Sequence, residues 1–282
     1  MTTDAESLLR AGDPKGALQA LQASVRAKPQ DATLRIFLFQ LLAVLGDWQR
    51  AVTQLKLCAE LDEDATPMAQ TYREGIICEV FREKVFAADT VPLMFGEPLD
   101  WAALMLEALE RLKAGEAEAA AGLRARAFDI APATPGRING EPFAWIADAD
   151  PRLGPMLEVI VNGRYFWMPF SAIAKLEIDQ PADLRDFVWT PAMLTLQNGG
   201  EFVVLIPTRY AGTTAAADPQ ALMARVTTWD DAGSDTFIGT GQRLLTTDQN
   251  DYALMDVRTI EIDPIAQPAP AAAEPATGGQ DG

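Results

Sequence analysis

Asp148 and Asp150, in the run Asp-Ala-Asp-Pro, are the residues of this chain most suggestive of chemistry. Two carboxylates two positions apart can share a divalent cation or divide acid and base roles between them. Asp183 and Asp186, flanking Arg185, form a second such pair. A carboxylate-dependent hydrolase would need at least two of the four to converge in one pocket. Each pair also has a plainer reading, because Asp caps helices and closes turns, and no third ligand stands near Asp148 and Asp150 in sequence. Ser171 and Ser234 have no base to activate them, since the chain contains no histidine. The same absence removes Ser-His-Asp and Cys-His catalysis and every His-containing zinc site. Gly239-Thr240-Gly241 is too short for a dinucleotide loop and lacks a strand–turn–helix setting. No catalytic residue, metal site or cofactor is assigned on these grounds. Cys58 and Cys78 are too few for a disulfide framework and lie in apolar helical sequence, where free thiols are usually buried.

The composition points from chemistry towards binding. The 282 residues carry 40 acidic and 23 basic side chains, a formal net charge of −17. Nucleic acids and anionic membrane surfaces call for a basic footprint, so neither is an expected partner. The N-terminus has no basic segment followed by an apolar core, and the apolar run near Ile36–Leu45 is shorter than the roughly 20 residues a membrane-spanning helix needs. A cytoplasmic, reducing location is expected.

The elements that would position these residues fall into two kinds. Residues 1–132 read as helices. Gly12 and Gly46 stand 34 residues apart, each followed by Asp and then by an amphipathic stretch, Pro14–Ala27 and Trp48–Leu61. A period of 34 is that of the tetratricopeptide repeat (TPR), in which small residues, here Ala17 and Ala51, let paired helices approach closely. The layout recurs at 114–132, with a longer helix expected over Pro67–Ala88 and another over Leu99–Lys113. About three degenerate helical pairs follow. Such an array either offers a groove to a peptide or helix or merely supports what comes after it. A Pro- and Gly-rich joint at 130–142 ends the helical pattern.

Residues 133–263 read as a β-rich domain. Asn162-Gly163 predicts a two-residue hairpin turn with Val161 opposite Arg164, Val159 opposite Phe166 and Leu157 opposite Met168. The other face, with Glu158, Ile160, Tyr165 and Trp167, is half-polar and expected to be partly exposed. A second hairpin is expected with its loop at Gly199-Gly200, pairing Leu196 with Val203 and Leu194 with Leu205. Strands are expected over Ala174–Ile178, Met223–Trp229, Phe237–Thr246 and Ala253–Ile262, with a helical turn from Asp183 through Phe187. Gly239 and Gly241 suggest a bulge or sharp bend. The fold class is therefore α+β: TPR-like helices, then a small twisted antiparallel sheet or partly open barrel. Residues 264–282, rich in Pro, Ala and Gly, are expected to be disordered. Tyr165, Trp167, Trp189, Trp229 and Tyr210 are either a sheet core or a binding patch. Arg209 either pairs with Asp148 or Asp186 or presents a cation to a partner. On the patch reading, the partner-binding candidates are Tyr165, Trp167, Trp189, Arg209 and Tyr210.

The run DADPRLGPMLEVIVNGRYFWMPF, followed by PADLRDFVWTPA, NGGE, LIPTRY and TFIGTGQRLLTTD, resembles the ImpE family over roughly residues 140–260. Its members, also called TagJ or SciE, are accessory proteins of type VI secretion systems. The resemblance implies a non-enzymatic cytoplasmic adaptor. Its implied partner is the small sheath subunit (TssB or VipA type), bound through that subunit's N-terminal helix, with an indirect link to the ClpV ATPase that disassembles the sheath. It carries over no catalytic motif and no map of contact residues. A repeat-type scaffold for another protein partner is the alternative.

Overall fold

The computed structural model describes residues 4–96 and 99–264, so the expected tail lies, beyond Pro264, outside the described residues. The helical part runs α1 (Asp4–Arg10), α2 (Pro14–Ala27), α3 (Ala32–Val44), α4 (Trp48–Leu61), α5 (Thr66–Phe86), a two-residue strand β1 (Leu93–Met94), α6 (Asp100–Lys113) and α7 (Ala117–Ile130). The turns that end α1, α3 and α6 share one mechanism. Gly12, Gly46 and Gly115 take φ of +86°, +73° and +79°, which only glycine adopts at no steric cost. Each donates its N–H three residues back, and the next residue donates five back, as Asp13 does to Leu8 and Asp47 to Leu42 at 2.9 Å. Asp13 and Asp47 then cap α2 and α4 by accepting the N–H of Gly16 and Arg50. Five residues after each glycine comes an alanine, Ala17, Ala51 or Ala120, with no exposed surface. The helices pair antiparallel as α1/α2, α3/α4 and α6/α7, with the 21-residue α5 between the second and third pairs.

The strands follow: β2 (Gly136–Ile138), β3 (Glu141–Phe143), β4 (Ile146–Asp148), β5 (Met156–Val161), β6 (Arg164–Pro169), β7 (Ile173–Ile178), β8 (Trp189–Leu196) and β9 (Glu201–Pro207). A short helix α8 (Pro219–Leu222) precedes β10 (Thr227–Asp231), β11 (Phe237–Gly241), β12 (Leu244–Thr247), β13 (Asp251–Ala253) and β14 (Thr259–Ile262). Nine strands form one sheet in the order β1-β6-β5-β9-β8-β7-β14-β2-β3, antiparallel except where β1 runs alongside β6. β1 and β3 remain its edges, so the sheet is open rather than a closed barrel. One face of it packs with the helices in a core that includes Trp167, Trp189, Leu41 and Ile76. The other face closes over a second core, with Leu157, Val159, Met168, Leu194, Ile206 and Ile260.

The first hairpin has the expected register, Val161 opposite Arg164 through Leu157 opposite Met168. Its second face is not half-exposed, however. All six residues of β5 are buried, because the helices cover the side carrying Glu158, Ile160, Tyr165 and Trp167. The second hairpin differs from expectation. Thr195 faces Glu201, Leu194 faces Phe202 and Met193 faces Val203. Gly199 takes φ of +82° and its N–H bonds to Leu196 O, so Gln197, Asn198 and Gly199 make a three-residue loop. That shift inverts the faces of β9: Val204 is 1% exposed and Val203 is 69% exposed. The expected strand at 223–229 begins only at Thr227, after α8 and a left-handed Ala224. The strands expected at 237–246 and 253–262 are each broken, the first at Gly241 and the second by the turn Leu254–Asp256.

Gly241 makes its break obligatory. It has φ of +98°, and a Cβ there would lie 2.0 Å from the Val226 carbonyl oxygen. Gly241→Ala is expected to cost about 2–4 kcal/mol, combining backbone strain and overpacking, read as a lowered midpoint in urea unfolding.

Candidate functional site

The carboxylates that suggested chemistry are already engaged. Asp148, at the end of β4, is ion-paired with Arg243 and accepts the Asp150 N–H at 2.8 Å. Asp150 accepts from Arg152 Nη2 at 2.6 Å and from the Gly239 N–H at 3.1 Å. Asp183 and Asp186 form a reciprocal capping box around the turn Leu184–Phe187. Asp186 Oδ2 accepts the N–H groups of Ala182 and Asp183, and Asp183 binds Arg185. The two pairs therefore serve different local structures and do not share a cleft partner. Among the described residues no group of three or more Asp, Glu, Cys or His has the geometry to hold a metal ion. Cys58 and Cys78 are buried and free, and burial pushes their thiols up to about 11 and about 12, so both are protonated at neutral pH.

The five partner-binding candidates come together, but inside the molecule. Tyr165, Trp167, Trp189, Arg209 and Tyr210 are all buried, so the core reading of the aromatics holds and the binding-patch reading of these five does not. What covers Tyr165, Trp167 and Trp189 is α5 and the helix beside it. Phe81 and Phe86 of α5 pack on Tyr165 and Trp167 with ring centroids 6.1 and 5.8 Å apart. Trp189 lies between Trp48 of α4 and Tyr72 of α5. Arg209 pairs with neither Asp148 nor Asp186. Its Nη1 donates to the carbonyls of Val44 at 2.7 Å and Leu222 at 2.6 Å, which satisfies the C-terminal end of α3. Tyr210 lies under β11, where Gly239 leaves room for its ring, and its hydroxyl bonds with both the carbonyl and the N–H of Leu244.

At the centre of this joint is a buried ion network. Glu158 of β5 accepts from Arg82 of α5 through Nε at 2.5 Å and Nη2 at 2.8 Å. The same carboxylate binds Arg243 and accepts the Tyr165 hydroxyl, which in turn accepts Trp167 Nε1 at 2.7 Å. Arg82 also reaches Glu79 and the carbonyl of Arg209, and Trp189 Nε1 donates to Glu79 at 3.1 Å. Burial alone would raise the Glu158 pKa, but the charges of Arg82 and Arg243 and their hydrogen bonds outweigh it and pull it down to about 2. At Asp148 burial dominates over the single opposing guanidinium and pushes the group up to about 7. Arg209, held only by backbone carbonyls, is lowered to about 10 by burial. Among the described residues no buried side-chain nitrogen or oxygen lacks a partner. The network thus has no free valence to offer a substrate. It can, however, fix the helices on the sheet in one orientation.

Arg82, Glu79 and Arg243 were not singled out from the sequence. The available signal was a charge isolated in apolar surroundings: Arg82 in IICEVFREKVF and Glu158 in MLEVIVNG. A lone charge in a run that must be buried needs an opposite charge elsewhere in the chain.

Surfaces free to bind lie away from the joint. One is a cavity of about 500 Å³ at the end of α7, walled by Phe128, Ala131, Trp145, Pro151 and Pro155. Another, of about 430 Å³, runs between α4 and α5 and is edged by Lys56, Arg73 and Glu74 beside Ile77. Among the described residues no helix is long and apolar enough to cross a membrane.

Residues 140–261 match the family model described as ImpE protein, and residues 8–71 match that of the tetratricopeptide repeat. The chain is 54% identical over 260 residues to the type VI secretion system accessory component TagJ of Pseudomonas aeruginosa, covering 92% of this chain and 91% of that relative. The crystal structure of protein VPA1032 from Vibrio parahaemolyticus shares the fold with a TM-score of 0.84, covering 93% of this chain and 98% of the other at 23% identity.

Proposed function

This chain belongs to the ImpE family, and from that premise we propose that it is a cytoplasmic adaptor of the type VI secretion system that acts by binding rather than catalysis. Its place as an accessory component of that system follows from the family. The finer reading is that it holds the N-terminal helix of the small sheath subunit and thereby modulates sheath assembly or ClpV-driven disassembly. The observation that carries it is the 54% identity, across nearly the whole of both chains, to an accessory component of the system. Two structural features support it. The carboxylates that suggested catalysis are spent on guanidiniums and caps. The helical pairs and the sheet are locked into one scaffold, which leaves preformed grooves for an amphipathic helix.

The purified full chain is expected to bind the small sheath subunit in calorimetry and to lose that binding when the subunit's first helix is deleted. Heat signals equal to dilution for the intact pair would rule the adaptor reading out for this protein. With a net charge of −17, binding to a basic helix should also weaken as salt rises.

A further inference from the structure

We propose that the apolar groove at the C-terminal end of α7 is where the partner helix docks, and that it takes an amphipathic helix bearing a basic residue where it meets the end of α7. This inference rests on the adaptor reading and adds to it a site and a chemistry.

The groove is built from three segments. The last turn of α7 supplies Phe128 and the chain beyond it Ala131. The residue before β4 supplies Trp145, and the loop after β4 supplies Pro151 and Pro155. Phe128 and Trp145 are 42% and 41% exposed, an unusual amount of aromatic surface to leave to water. Gly154 sets the floor: it is left-handed at φ +51°, and a Cβ there would strike the Phe128 ring at 2.4 Å. The one charged residue in the lining, Asp148, is buried and ion-paired with Arg243. The interior is therefore apolar, and its volume of about 500 Å³ lies within the roughly 300–1,000 Å³ typical of ligand clefts. The groove between α4 and α5 is different in kind. Lys56, Arg73 and Glu74 line it with both signs of charge, which an apolar helix face would have to desolvate.

Charge at the rim indicates the polarity of the occupant. The last turn of α7 contains no basic residue, so the negative end of its dipole is not neutralised there by its own sequence. Asp129, exposed in that same turn though not in the groove lining, puts an acidic side chain near the same helix end. An apolar trough ending in a negative helix terminus favours apolar anchors at i, i+3 or i+4 and i+7 with Lys or Arg at one end. It would repel an acidic helix and, on a chain of net charge −17, disfavours a second copy of itself.

The test uses the full chain and a synthetic peptide of the small sheath subunit's N-terminal helix, titrated by calorimetry. Trp145→Asp is expected to weaken peptide binding about tenfold or more, as removal of a central aromatic anchor does. Asp129→Lys should weaken it about threefold to tenfold and reduce its salt dependence. Ile77→Asp, in the other groove, should leave binding unchanged. All three positions are exposed, and unchanged circular dichroism confirms that the variants fold. If the wild type binds and Trp145→Asp binds equally well, or Ile77→Asp alone loses binding, the groove assignment is overturned while the adaptor reading stands. If Trp145→Asp changes the association state of the free chain and not its peptide affinity, the occupant is a second copy and the proposal fails. If the wild type itself does not bind the peptide, the adaptor reading fails and takes this site with it.

Discussion

Glu158→Ala is expected to lower the free energy of unfolding by about 3–5 kcal/mol, the range for breaking a buried charge network by removing one partner. The magnitude follows from what the carboxylate holds. It accepts two hydrogen bonds from Arg82, one from Arg243 and one from Tyr165, all buried. Without it two guanidiniums remain in a medium that cannot solvate them, and neither can escape by losing its proton. Glu158→Gln keeps the shape and removes the charge, so it should recover part of the loss. The pH dependence supplies a second signature. The folded pKa of Glu158 is about 2, below its ordinary value of 4.5. Its stabilising contribution is therefore complete above about pH 4.5 and is lost as pH falls towards 2. The difference in stability between wild type and Glu158→Gln should be constant from pH 7 to 5 and shrink below 4.5. Urea midpoints at pH 7, 5, 4 and 3 measure it. A difference that stays constant down to pH 3 would mean that Arg82 and Arg243 do not hold this carboxylate as described.

The network also shows what could be read from the sequence and what could not. The starts and stops of α2 and α4 were legible because they are local. A glycine that must be left-handed and an aspartate that must accept an N–H fix a helix boundary within a few residues. The register of the Asn162-Gly163 hairpin was legible for the same reason. The second hairpin was not, because its Asn-Gly-Gly run allows several loops. The choice between Val203 and Val204 as the inward residue rests on which loop Gly199 completes. The fate of Tyr165, Trp167, Trp189, Arg209 and Tyr210 was beyond local reading altogether. Their types suit an interface, and they do form one. Its other side is, for all but Tyr210, α5, α4 and the end of α3 of the same chain, 76 positions away for the bond Arg82 makes to Glu158 and 165 for the one Arg209 makes to Val44. Sequence pattern indicates that a residue wants a partner; only the packed fold shows that the partner is internal. The same logic moves attention to Phe128 and Trp145, which the sequence did not mark and which the fold leaves uncovered among the described residues.

Trp189→Ala is expected to cost about 3–5 kcal/mol, as large-to-small changes of a fully buried aromatic do. This side chain, from β8, is inserted between two helices. Its ring lies 6.1 Å from that of Trp48 on α4 and 5.6 Å from that of Tyr72 on α5. Its Nε1 donates to Glu79, whose other oxygen lies against Arg82. Truncation would open a cavity at the joint and also leave Glu79 short of a donor, in a place where burial already pushes its pKa up. Trp189→Phe is an intermediate case, since it keeps an aromatic ring at the joint while losing the hydrogen bond and part of the ring volume, for a cost of about 2–3 kcal/mol. Gly75 provides the contrast. It lies in α5 against the same ring, but a Cβ there would stand 3.5 Å from Trp189 Cε2, an ordinary contact. Gly75→Ala should therefore stabilise by about 0.5–1 kcal/mol, because a helix interior favours alanine over glycine. Chemical denaturation followed by circular dichroism and by tryptophan fluorescence ranks the three. If Trp189→Ala unfolds at the wild-type midpoint by both probes, the ring is not what joins helices to sheet. If Gly75→Ala is the more damaging change, the joint is packed more tightly than its distances indicate.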